Sequence, residues 1–186
     1  MRAMSFFITL GLSLASGAAL AQPAASTAPK AQTISTLNGK FAFTLPPGYT
    51  TTKLPPADQY SEAAGAKGMM YMNDREKRVV VTTEVPIPNG EAGDDDDEFL
   101  DGAAAGFIKQ QAAALPDFKK TREKRVKIRN LGVEQIDSTA TMGGGETMTT
   151  TFVAGSGKTM SLVQVISRAS DGAGHAAMVK HVTEGK

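Results

Sequence analysis

The chain has 186 residues, of which 41% are hydrophobic, 21% charged and 6% aromatic, with 20 Lys and Arg against 19 Asp and Glu. This is the composition of a globular protein and excludes a disordered or fibrous one. With no Cys, the chain has no disulfide, thiolate metal site, cysteine nucleophile or cysteine to lipidate. A formal net charge of +1 also argues against a dedicated nucleic-acid binder.

Residues 1–21 read as a secretory signal peptide. Arg2 is the positive start, Phe6 to Leu14 the apolar stretch, and Ala19-Leu20-Ala21 a small-x-small cleavage site. Cleavage after Ala21 and a periplasmic location are expected. No transmembrane segment is expected after cleavage, because no later stretch approaches the ~20 apolar residues a span needs. Residues 22–32, rich in Pro and Ala, read as a flexible linker. Residues 33–185 read as a single domain.

In that domain, Ile34 and Leu37 precede Asn38-Gly39, and Phe41, Phe43 and Leu45 follow at period two, which predicts a β-hairpin with a two-residue type I′ turn. Residues 48–66 read as a long loop, 67–72 and 78–85 as strands, and 86–93 as a loop. From Asp94 to Leu115, apolar residues recur at three- and four-residue spacing and predict a helix. Gly102 and Gly106 lie inside it, at a cost of about 1 kcal/mol each against Ala, and suggest close approach to a sheet. Four strand-like runs follow (121–131, 133–142, 146–153 and 159–167), with short links that favour antiparallel neighbours. Residues 171–183 predict a terminal helix. Strands in runs, without strict alternation with helices, indicate an α+β fold.

This order resembles the DcrB-like proteins of bacterial envelopes and, more distantly, the PsbP-like proteins. The features that carry the resemblance are the hairpin closing on Phe41 to Tyr49, the strands around Tyr71 and Val79 to Thr82, the helix Phe99 to Leu115, and Val163 to Ser167 before the last helix. The resemblance implies an antiparallel sheet sandwiched by helices and a binding or assembly role. It brings no shared catalytic apparatus. DcrB proteins are typically lipoproteins. This chain has no Cys to lipidate, so a soluble periplasmic form is expected.

Several motifs have a second, plainer reading. Gly155-Ser156-Gly157-Lys158-Thr159 looks like the end of a phosphate-binding loop, but Phe152 stands where that motif needs Gly and a strand pattern follows, so a hairpin turn is expected. Asp94 to Asp97 could hold a divalent cation, though acids at a helix start also complement its dipole. Met69, Met70 and Met72 could ligate Cu(I), but core packing is the expectation. His175 and His181 are six apart on a helix and cannot form an i, i+4 metal pair. Ser170, Asp171 and His175 have the types of a nucleophilic triad without a nucleophile elbow, and His175 reads as a packing residue.

Lys119 to Arg129 holds seven basic residues and one acid. If Val126 and Ile128 face the core, Arg125, Lys127 and Arg129 form a row on the other face. That row, with Tyr49 and Tyr60 of the long loop, is the candidate contact surface for an unknown envelope protein or an anionic envelope surface. No catalytic residue, cofactor or metal is expected. The function expected is a non-enzymatic periplasmic binding or accessory protein. The alternatives are an immunity protein that blocks a periplasm-delivered toxin, and a small-ligand carrier or envelope hydrolase.

Overall fold

The computed structural model describes residues 30–54, 65–88 and 90–185. In chain order these form β1 (Gln32–Thr36), a 3-10 turn (Leu37–Gly39), β2 (Phe41–Leu45), β3 (Thr50–Leu54), β4 (Lys67–Asn73), β5 (Arg78–Pro86), α1 (Asp97–Ala114), β6 (Lys119–Ile128), β7 (Leu131–Met142), β8 (Gly145–Ser156), β9 (Thr159–Arg168) and α2 (Gly172–Glu184). Strands β3 to β9 build one seven-stranded sheet in the order β3-β4-β5-β9-β8-β7-β6, and β1 and β2 pair as a separate ribbon. Every pairing is antiparallel. The fold is α+β, as expected.

Strand register divides the side chains between two faces, because successive residues of a strand point to opposite sides. Tyr71, Val80, Val165 and Thr150 are successive cross-strand neighbours on one face, and Met72, Val79, Ile166 and Thr149 form the adjacent row on the other. The first face is covered by α2 and the β1–β2 ribbon. Its core includes Phe41, Phe43, Leu45, Tyr71, Phe152, Val163, Val165, Met178 and Val182. Phe41 meets Phe152 edge-on, with ring centroids 6.3 Å apart, a geometry worth about 0.5–1.5 kcal/mol beyond the area buried. On the second face α1 lies over β7 and β8, with Ala104 and Phe107 against Ile136 and Val153.

Four local expectations change. The N-terminal hairpin forms, but Thr36 pairs with Phe41, so its loop has four residues. Leu37, Asn38 and Gly39 all have positive φ (50°, 55° and 93°). Buried Leu37 donates its N–H to Glu84 Oε1 at 2.8 Å, which fixes this wider turn. The loop expected over 48–66 contains β3, an edge strand whose threonines are exposed and so carry no apolar alternation. Asp96 is the N-cap of α1 and its side chain accepts from the Phe99 N–H, so the helix starts at Asp97, not Asp94.

Finally, Gly102 and Gly106 do not mediate close packing, since a Cβ at either would meet nothing within 4 Å. The close approach lies on the sheet side. A Cβ on Gly155 of β8 would collide with the Phe99 ring and come within 2.8 Å of the Ala92 Cβ. The 155–159 motif is the expected hairpin turn, with Ser156 paired to Thr159 and Gly157 at φ 56°.

Candidate interaction surface

The acidic start of α1 and the basic strand β6 meet each other. Asp94 takes Lys40 Nζ at 2.7 Å and the Ser156 hydroxyl at 2.7 Å, and these hydrogen bonds hold its carboxyl below the usual range. Asp95 pairs with Lys127 Nζ at 2.7 Å and raises the lysine's pKa. Asp96 caps the helix, and Asp97 pairs with Arg125. Each of the four acids is therefore engaged within the chain. Among the described residues, no cluster of three or more His, Asp or Glu side chains could hold a metal ion.

Arg125 is the hub of this contact. Its Nε donates to Glu134 Oε2 at 2.6 Å, its Nη2 to Asp101 Oδ1 at 2.7 Å, and its Nη1 to Asp97. Two of these carboxylates come from α1 and one from β7, so Arg125 ties helix to sheet. Arg125 and Lys127 share the α1 side of the sheet. Arg129 is set apart from them. It lies in the β6–β7 turn at φ 58°, exposed, while Ile128 enters the core as expected.

Tyr49 is fully buried, so its ring is not on any contact surface. Gly48, at φ 107°, turns the chain inward after Pro46-Pro47, and the Tyr49 hydroxyl lies 3.6 Å from Met178 Sδ. Burial raises its pKa, against the pull of Arg78. Arg78 is itself buried and pairs with Glu76 and with Asp171 at 2.5 Å. Asp171 also accepts from the Gly174 N–H, so the cap of α2 is locked to β5. Tyr60 lies outside the described residues.

His175 is only 8% exposed and joins a polar chain. Its Nε2 lies 2.9 Å from Thr150 Oγ1, its Nδ1 lies 3.0 Å from Ser167 Oγ, and Thr150 Oγ1 donates to Asp137 at 2.7 Å. A hydroxyl has one proton. If Thr150 gives its proton to Asp137, it accepts from Nε2–H, and Nδ1 accepts from Ser167. Burial lowers the His175 pKa, with Asp137 opposing, which fits this neutral tautomer. The serine in contact is Ser167, not Ser170, and at 1% exposure it is closed to substrate. Asp171 is spent on Arg78. The triad types noticed in sequence therefore do not assemble as a nucleophilic site.

The cations left without an ion pair on β6, among the described residues, are Lys119, Arg122 and Lys124, with Arg129 just beyond. β6 is the outer edge of the sheet. Sequence parity pointed to the odd-numbered row, but Arg125 finds acids on α1 and Lys127 finds Asp95 just before it, and Arg122 and Lys124 stand on the opposite side. The signal that could have found them was the acidic run itself, whose helix must lie over one face only.

No family model and no curated protein matches the chain. Among solved structures, it resembles the cyanobacterial PsbP (CyanoP) of Synechocystis sp. PCC 6803 with a TM-score of 0.61, at 10% identity, over 89% of this chain and 96% of that one. It also matches PA94 of Pseudomonas aeruginosa, a protein of unknown function, with a TM-score of 0.45, at 12% identity, over 83% of this chain and 94% of that one. The first likeness shows a PsbP-like fold over nearly the whole described domain.

Proposed function

We propose that this protein is an exported, non-enzymatic accessory protein of the cell envelope that binds a partner through charged contacts, as a DcrB-like member without a lipid anchor. The observation that carries the reading is the outer edge at β6, where Lys119, Arg122 and half-buried Lys124, with Arg129 in the turn that follows, have no acidic partner among the described residues. An acidic surface on a partner protein would complement it. Cations on an edge strand also oppose edge-to-edge pairing with a second sheet.

Export is supported by the pattern of residues 1–21, and no helix among the described residues is long and apolar enough to cross a membrane. The PsbP-like fold adds support for an accessory role. Fractionation of cells making the C-terminally tagged full chain tests the location, with the processed form expected in the periplasmic fraction. Retention of the unprocessed chain in the cytoplasm would overturn it. Crosslinking in envelope extract tests the partner, which is expected at low salt and lost at high salt.

A further inference from the structure

α1 packs mainly over β7 and β8, with Met160 and Leu162 of β9 at its margin, because a helix is about 10 Å wide and strands lie about 4.8 Å apart. Beside it, the described residues leave a trough of about 370 Å³ over β4, β5 and β9. Its floor is Met70, Met72, Val79, Val81 and Ile166, and Met142 closes one side. Register places these in rows, with Met70 beside Val81 and Met72 beside Val79 and Ile166. Of the three neighbouring methionines, only Met69 packs against the core. Met70 and Met72 line this trough instead, contrary to the expectation that they pack in the core.

Polarity along the trough is segregated. All its polar groups lie at the end made by the β4–β5 turn, the β7–β8 turn and the last residues of β9. There Lys77 and Arg168 bring two positive charges against the single carboxylate of Asp74. Neither cation forms an ion pair among the described residues, and Arg168 Nη2 reaches only the Gly143 carbonyl, at 3.4 Å. Among the described residues, the lining contains no aromatic ring on which a flat ligand could stack, and no polar group beyond the cationic end to orient a sugar or peptide. A volume in the range of small-molecule sites, apolar along its length and cationic at one end, fits a single-chain molecule with an anionic head. We infer that this trough binds a medium-chain alkyl carboxylate, its chain over Met70, Met72 and Val81 and its carboxylate at Lys77 and Arg168.

The inference is independent of the protein partner at β6. It is tested by methyl NMR of the protein labelled at methionine, titrated with sodium decanoate below its micelle concentration. Saturable shifts are expected at the Met70, Met72 and Met142 methyls and not at Met178. Affinity should rise on the order of fourfold per added methylene from octanoate to decanoate. Decyltrimethylammonium should bind at least tenfold more weakly. Val81→Asp and, separately, Met72→Glu should abolish the shifts in folded protein. Lys77→Gln with Arg168→Gln should weaken decanoate about tenfold and leave decanol unchanged. Absence of saturable shifts, equal response to the cationic amphiphile, or shifts produced only by phosphatidylglycerol vesicles would each overturn it.

Discussion

Arg125 Nε donates to Glu134 Oε2 at 2.6 Å, and Glu134 has a side chain only 6% exposed, so a buried carboxylate depends on this guanidinium. The other two acids on Arg125, Asp97 and Asp101, are 83% and 76% exposed. Removing Arg125 leaves Glu134 buried without its partner, whereas removing an exposed acid lets water replace it. Arg125→Ala should cost about 2 kcal/mol, and Asp97→Asn or Asp101→Asn less than about 1 kcal/mol each. Urea denaturation of the three variants measures this order.

The glycines predict opposite signs. Gly155→Ala places a methyl group into the Phe99 ring and Ala92 and should destabilise by about 1–3 kcal/mol. Gly102→Ala and Gly106→Ala enter open space on α1 and should each stabilise by about 0.5–1 kcal/mol. Thermal melts would show the shifts in both directions.

His175 predicts a pH dependence. Burial holds its folded-state pKa below the ordinary 6.5. As pH falls below that value the unfolded chain binds a proton that the folded chain resists, so this stability is present at neutral pH and lost with acidification. Asp137 favours the charged ring, while Arg78 opposes it. Melting temperature should fall between pH 7.5 and 5, and His175→Gln should flatten that slope. Asp171, whose carboxyl is lowered by Arg78, acts in the same direction only at more acidic pH, below its ordinary 3.8.

Arg78 should be intolerant of truncation. Its side chain is 7% exposed and serves Glu76 and the cap residue Asp171. Both acids can be rehydrated, so Arg78→Ala should cost about 2–3 kcal/mol, less than a fully buried pair. Because the tie between the cap residue Asp171 and β5 is lost with it, amide exchange in the first turn of α2 should rise more than in α1.

What the sequence revealed depends on where each signal resides. α1, the β8–β9 turn and the core role of Phe41, Phe43 and Leu45 rest on local periodicity and turn chemistry, and they stand in the structure. β3 carried no apolar alternation, since an exposed edge strand of threonines needs none. Tyr49 read as a loop residue because nothing local shows that the chain turns under α2. The pairing of Arg125 with Asp97 and Asp101 spans 28 and 24 residues, so it depends on the helix crossing the sheet. The free cations of β6 became identifiable only once that crossing was known.

The most direct measurement is a crosslinking capture from envelope extract, comparing the unaltered protein with Arg122→Ser/Lys124→Ser/Arg129→Ser, at low and high salt. One specific protein partner is expected at low salt, lost at high salt and lost in the variant, whose melting temperature stays unchanged. Recovery of the same partner by the variant at low salt, or of no partner by the unaltered protein, would contradict it.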